Sequence, residues 1–314
     1  MNVAIIDLGT NTFNILIVNI EKGKKIDILL KTKSAVMLGS EGLMTGYLSD
    51  KAFVRSFAVL RDYSGLIKDF ECEQVIAYGT SAIRHARNSN HFIEKVKNEL
   101  GIQITPISGD EETQYVFTAI THAVSMDSKN YLMIDIGGGN NEVIIGNGDQ
   151  MLWSNSYELG SARLLELIKP EDPISPDEIE KLMSYFDEQM ADLNDALHKY
   201  PVERMFGSAG AFDTFAEMIS QKKRHKPLPL NSRCSNFTAD DFNDIYKMII
   251  STTSEERILI PGLETLRKDT IVMAAIFVKY IIDKAHIRSI SQSTYALTEG
   301  VAFQLAKEME NKNE

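Results

Sequence analysis

The chain has 314 residues, 44% of them hydrophobic, with 33 Lys and Arg set against 44 Asp and Glu for a formal net charge of −11. This is globular composition with length for two domains and their cores, and the acidic balance excludes a general nucleic-acid binder, which needs a basic field. Cys72 and Cys234 show no metal or redox spacing and no apolar run approaches the ~18 residues of a membrane span, so a cytoplasmic protein with neither membrane nor nucleic-acid partner is expected.

Taken in order, the chain opens on an apolar strand ending in Asp7, a small-residue turn over Gly9, Thr10, Asn11 and Thr12, and a second strand to Val18. A third apolar stretch covers 25–30, a helix about 50–70, and a strand 74–78. Gly79-Thr80 then leads into a helix over 81–100. A short strand at 103–107 precedes a helix opening near Asp110. The second half brings a hairpin near 131–146, a strand at 151–157, helices over 161–168 and 176–199, and a strand at 202–206 entering the turn Gly207-Ser208-Ala209-Gly210. Helices at 239–252 and 269–284, a strand at 288–291 and a terminal helix from about 295 close the chain. This alternation is mixed α/β. With no Pro/Gly/Ser-rich linker, the boundary is expected near 122–128 and the domains to share a cleft.

The opening hairpin recurs 128 residues later, where Asp135 matches Asp7, Gly137 matches Gly9 and Asn140 matches Thr12. A turn without bulky side chains can aim backbone N–H groups at phosphate oxygens, and an aspartate at the strand end suits a hydrated Mg2+. One copy alone would be an ordinary hairpin with turn-forming polar residues. Two related copies point to a phosphate clamp.

Ser108 and Glu111 have the spacing of a capping box, which leaves Glu112 without a capping task. Acidic residues in a first helical turn also answer to the helix dipole. A carboxylate at this turn could take a proton from an attacking water, and Glu112 is the candidate general base. Thr80 is a candidate N-cap, and Arg84, one turn inside the helix, could hold an anion with its planar fork or merely decorate a surface helix. Gly207 and Ser208 form a third small-residue turn at a helix start, suited to phosphate or to close helix–strand packing. The basic run Lys222 to Lys226 reads as a surface loop or a substrate track, and the six histidines show no metal-ligand spacing. No Walker-type loop occurs.

Read together, Asp7-Leu-Gly-Thr-Asn-Thr-Phe, Gly79-Thr-Ser-Ala-Ile-Arg-His-Ala-Arg-Asn88, Ile107-Ser-Gly-Asp-Glu-Glu, Ile134-Asp-Ile-Gly-Gly-Gly and Phe206-Gly-Ser-Ala-Gly resemble, in order, the motifs of the exopolyphosphatase / guanosine pentaphosphate phosphohydrolase family. The resemblance covers nearly the whole chain and extends to Glu158-Leu-Gly-Ser-Ala-Arg-Leu, Arg267-Lys-Asp and Ala296-Leu-Thr-Glu-Gly-Val. It implies two actin-like, ribonuclease-H-type domains flanking a phosphate-binding cleft, here 1–124 and 125–298, with a helix of about 299–314 packing back on the first. It also implies release of terminal orthophosphate from polyphosphate or pppGpp with Mg2+ or Mn2+. By the same resemblance Glu112 and Arg84 are catalytic. The phosphate loops fall on Gly9 to Thr12 and on Gly137, Gly138, Gly139 and Asn140, and the metal-side acids on Asp135 and Glu142, with Asp7 nearby. A homodimer is a further expectation.

Two departures stand out. Asn140-Asn141 replaces the usual Ser followed by Thr or Val, and Asn14 stands where many members carry Arg or His. They motivate a competing reading as a low-turnover polyphosphate or (p)ppGpp sensor. An actin-like small-molecule kinase is the third reading, against which Glu112 argues.

Overall fold

The computed structural model describes residues 1–314 other than 22, 24, 40, 41, 230, 231 and 312–314, so the last three residues of the expected terminal helix lie outside the described residues. In chain order the elements are β1 (Asn2–Leu8), β2 (Thr12–Asn19), β3 (Asp27–Ala35), α1 (Asp50–Asp69), β4 (Gln74–Gly79), α2 (Ser81–His85), α3 (Ser89–Leu100), β5 (Ile104–Pro106) and α4 (Gly109–Ala123). Next come β6 (Tyr131–Ile136), β7 (Asn141–Gly146), β8 (Met151–Tyr157), α5 (Ser161–Ile168), α6 (Pro176–Gln189), α7 (Ala191–Lys199), β9 (Arg204–Ser208) and α8 (Ala209–Arg224). The chain ends with β10 (Cys234–Thr238), α9 (Ala239–Ser251), α10 (Ser254–Arg257), α11 (Thr270–Lys284), β11 (Ser289–Ser293) and α12 (Leu297–Asn311). The chain divides into two compact units. One comprises Met1–Ala119, Gly137–Gly139 and Ala296–Glu314; the other comprises Ile120–Ile136 and Asn140–Tyr295.

In the first unit the strands run in the order β3-β2-β1-β4-β5, with β1 antiparallel to β2 and parallel to β4. The near-continuous apolar run of β1 follows from burial on both faces. Ala4, Ile6 and Leu8 join a core with Leu60 and Tyr63 of α1 and Phe92 and Val96 of α3, while Val3 and Ile5 alternate to the other face against Leu297, Val301 and Ala302 of α12. Ser49 caps α1 by accepting from Ala52 N, and Ala52, Ser56, Leu60 and Tyr63 form its buried stripe. Gly300 lets α12 lie against α4: a Cβ there would stand 1.9 Å from the Tyr115 carbonyl oxygen.

In the second unit the order is β10-β11-β9-β6-β7-β8. Here β6, β7, β8, β9 and β11 repeat the arrangement of β1 to β5, and β10 is an added antiparallel edge strand. The α11 helix is buried nearly all round, and Phe186 of α6 meets Phe277 edge-on at 5.5 Å between ring centroids. Two sheets of this order make the expected α/β, ribonuclease-H-type class the observed one.

Local differences from the sequence expectation have physical causes. The helix expected over 81–100 breaks at Ala86, whose backbone is extended, and Asn88 instead exchanges hydrogen bonds with the backbone of Leu48. The helix expected over 176–199 breaks at Met190, and β3 runs five residues past the stretch expected to end at 30.

Candidate active site

In the first unit the turn after β1 is closed by Gly9 N–H donating to the Thr12 carbonyl at 3.1 Å, and the following loop holds it from outside. Val36 N and Met37 N donate to the Asn11 carbonyl, and Gly39 N to that of Thr10. Thr10 is 3% exposed and its buried hydroxyl oxygen has no hydrogen-bond partner. The Gly137–Gly139 segment belongs to this same unit. A Cβ on Gly138 would stand 2.9 Å from Thr10 Cβ and from Asn11 Cγ, and one on Gly139 would stand 2.3 Å from Ser81 Oγ. Only glycine fits there, and the result is a packed set of small residues around Thr10 and Asn11.

Next to these residues, α2 starts at Ser81, which is 2% exposed. Thr80 sits at the N-cap position without capping through its side chain; its hydroxyl donates to the Leu8 carbonyl at 3.4 Å, tying the helix start to the end of β1. One turn on, Arg84 Nη1 donates to the Ile107 carbonyl at 2.7 Å and to Glu112 Oε2 at 3.1 Å. The two side chains are 18% and 13% exposed, so the pair is shielded from water. Arg84 thus does not decorate a free surface. The capping box forms as the spacing suggests. Ser108 N and Oγ both donate to Glu111 Oε2 at 2.8 Å, and these bonds hold the Glu111 carboxyl below its usual range. Glu111 closes the helix end and Glu112 meets the guanidinium.

Asp7 is the one predicted metal-side acid in this unit, and its Oδ2 accepts from Asn14 Nδ2 at 2.8 Å. The two lie opposite each other in the β1–β2 register. Asn14, which stands where many family members carry a cation, therefore donates a hydrogen bond to Asp7.

In the second unit the corresponding pair is Asp135 and Glu142, opposite each other between β6 and β7. Both are buried, at 8% and 1% exposure. Ser208, next to Asp135 on β9, donates to Asp135 Oδ2 at 2.6 Å, and Ser156, next to Glu142 on β8, donates to Glu142 Oε1 at 2.8 Å. Burial pushes the Asp135 carboxyl up to about 6, with the Ser208 bond pulling the other way and the charge of Asp213 adding to the rise. Asp213, on α8, in turn accepts from the buried Gln292 at 2.7 Å.

Several expected phosphate ligands have other tasks here. The Ser208 hydroxyl serves Asp135. Gly207 answers a packing demand, since a Cβ would stand 2.2 Å from the Phe212 ring. Asn140 Nδ2 donates to Ser156 at 2.9 Å and Asn141 Nδ2 to the Leu159 carbonyl at 2.7 Å, so neither amide is aimed at a ligand through these protons. Among the described residues no group of three or more His, Cys, Asp or Glu could hold a metal by itself. Two buried carboxylates side by side do suit Mg2+, which takes one or two carboxylates and completes its shell with phosphate oxygens and water. Asp135 and Glu142 would hold it.

Sequence reasoning passed over Ser156, Asp213 and Gln292. The signal for Ser156 lay in the β7–β8 register, which sets it opposite Glu142. In the sequence Arg267 stands out only as part of the Arg267-Lys-Asp motif. Its side chain is 10% exposed, bonded through Nε to Glu264 and packed on Gly210 so closely that a Cβ there would stand 1.7 Å from Nη2.

Two repeated sheets with small-residue turns at matching strand ends define a two-sheet, ribonuclease-H-type α/β protein. The chain belongs to the Ppx/GppA phosphatase family, whose profile matches residues 16–309. It is 28% identical over 306 residues to a putative exopolyphosphatase of Haemophilus influenzae, covering 97% of this chain and 91% of that one. A solved exopolyphosphatase from Cytophaga hutchinsonii superposes with a TM-score of 0.95 at 33% identity, covering 98% of each chain. The Ppx/GppA family member of Aquifex aeolicus superposes with a TM-score of 0.80 at 26% identity, covering 100% of this chain and 99% of that one. No described helix is long and apolar enough to cross a membrane.

Proposed function

We propose that this phosphatase-family chain releases terminal orthophosphate from phosphoanhydride chains, inorganic polyphosphate first and pppGpp as the second substrate, in a reaction that depends on Mg2+. The observation that carries the reading is the shielded pair of Arg84 and Glu112 at the start of α4, with Glu111 taking the cap and leaving Glu112 for chemistry. The names of the Haemophilus and Cytophaga relatives support polyphosphate as the substrate class.

In this reading the Thr10 hydroxyl and the backbone of Gly9 to Thr12 and Gly137 to Gly139 bind successive phosphates. The Gly9–Thr12 bond and the donations to the Asn11 and Thr10 carbonyls hold the first turn in place before the ligand arrives, so little reorganisation accompanies binding. Arg84 shares its guanidinium between the terminal phosphoryl group and Glu112. Glu112 orients the attacking water and takes its proton as the water oxygen bonds to the terminal phosphorus, while the bridging P–O bond breaks, its electron pair stays on the oxygen of the shortened chain, and the terminal group departs as orthophosphate. Bound Mg2+ supplies charge neutralisation to the phosphates. Asp135 and Glu142 would supply its protein ligands, with their serine partners keeping those carboxylates in place. Catalysis then rests on positioning and electrostatics.

Orthophosphate release from long polyphosphate, short polyphosphate and pppGpp, with and without Mg2+, tests the proposal. Release from at least one substrate that needs the metal is the expected result; tight binding of all three without release would replace the hydrolase by a sensor.

A further inference from the structure

We propose that Ser156 is a positioning residue for Glu142 and that Asn140 is its strut, not a phosphate ligand. The inference rests on the reading of Asp135 and Glu142 as the cation-binding pair. Across β8, β7, β6 and β9 the register sets Ser156, Glu142, Asp135 and Ser208 in one row. Like charges directly opposite each other in a sheet repel. The row answers this by giving each carboxylate a hydroxyl on its outer flank, Ser156 for Glu142 and Ser208 for Asp135.

The polarity of the Ser156 link is fixed by chemistry. A hydroxyl has one proton, and here it goes to Glu142 Oε1 at 2.8 Å. The serine oxygen then accepts from Asn140 Nδ2 at 2.9 Å, and an amide N–H can only donate. The relay Asn140 to Ser156 to Glu142 thus runs one way and fixes how the carboxylate is rotated. Glu142 is 1% exposed, so water is a poor substitute for the serine. The first unit offers the contrast. At the position 128 residues earlier stands Asn14, which bonds directly to Asp7, so that pair holds one negative charge and has no second carboxylate to orient. The relay therefore belongs to the half that carries two.

The test compares wild type, Ser156→Ala, Ser156→Thr and Asn140→Ala. Two things are measured: Mn2+ binding to the substrate-free protein by calorimetry, and kcat and KM for polyphosphate with Mg2+. Loss of an outer-shell partner typically costs about 10–100-fold in metal affinity or activity. Ser156→Ala should weaken Mn2+ binding and lower kcat by roughly the lower end of that range, with KM little changed, and Ser156→Thr should restore both. Asn140→Ala should move both in the same direction by less. Unchanged Mn2+ affinity in Ser156→Ala overturns the positioning role, and a raised KM at constant kcat in Asn140→Ala makes Asn140 a phosphate ligand after all. If wild type releases no phosphate, the proposed function fails while the Mn2+ comparison still decides the relay. Wild type that releases phosphate yet binds no Mn2+ overturns the relay alone.

Discussion

Arg84 Nη1 lies 3.1 Å from Glu112 Oε2 and 2.7 Å from the Ile107 carbonyl, so one nitrogen ties the candidate base to the loop that precedes its own helix. Both donations lie in the plane of the guanidinium, which fixes their directions, whereas a lysine ammonium has no such plane. Arg84→Lys should keep the charge and lose the geometry. A displacement of about 1 Å at a reacting group can cost on the order of a hundredfold in rate, and a kcat loss of that order is expected. Steady-state kinetics with the folded variant checks it; an unchanged kcat would show that charge alone suffices.

Ser108 and Glu111 form the cap of α4 and leave Glu112, the candidate base, outside it. Ser108→Ala removes a cap worth typically about 1 kcal/mol. It should lower the unfolding temperature and leave kcat close to wild type. The Ser108 bonds hold the Glu111 carboxyl below its unfolded value, so their electrostatic part is present above that value and is lost as pH falls through the folded one. Because Glu111 is largely open to solvent, the pH effect should be small. Calorimetry at pH 7 and pH 3 reads both effects.

The opposite sign applies to Asp135. Burial raises its carboxyl to about 6, above the unfolded value of about 3.9, so between these values the folded state holds more protons and stability falls as pH rises. Above that window the buried charge costs roughly 1–3 kcal/mol in the metal-free protein. Asp135→Asn keeps an acceptor for Ser208 and should raise the unfolding temperature at pH 7.5 by a few degrees, and Mn2+, expected to raise that of wild type, should leave the variant unchanged. A lower unfolding temperature in the variant would contradict the electrostatic account of this pair.

Gly139 tests the loop. Alanine there would bring a Cβ to 2.3 Å from Ser81 Oγ, so the turn must shift. Gly139→Ala should raise KM for polyphosphate several-fold in a protein that still folds, and a KM equal to wild type would remove this segment from the phosphate site.

Much of this was readable in the residues because local rules and tertiary structure agree. The two hairpins announce themselves through buried strands that each end in an aspartate and a small-residue turn, and the Ser108–Glu111 spacing is a local code. The break at Ala86–Asn88 was not readable, since its cause is a bond from Asn88 to Leu48, some forty residues away in sequence. The β10 strand escaped notice because an edge strand of mixed polar residues carries little periodic signal. The basic run at 222–226 reads from sequence as a surface loop or a substrate track; in the structure Lys222 pairs with Asp244 at 2.8 Å and Lys223 with Asp241 at 2.5 Å. At the site, residue identity marked the acids and the arginine, whereas their partners Asn14, Ser156 and Ser208 depend on strand register. That register could be inferred only after the order of the strands was known.

The most direct measurement of the central claim is orthophosphate release from polyphosphate by wild type and by Glu112→Gln, both with Mg2+ and both confirmed folded. A positioned general base contributes typically about 10²–10⁴-fold, and a kcat loss in that range with KM nearly unchanged is the predicted result. Full turnover in Glu112→Gln would contradict the account and place the base elsewhere.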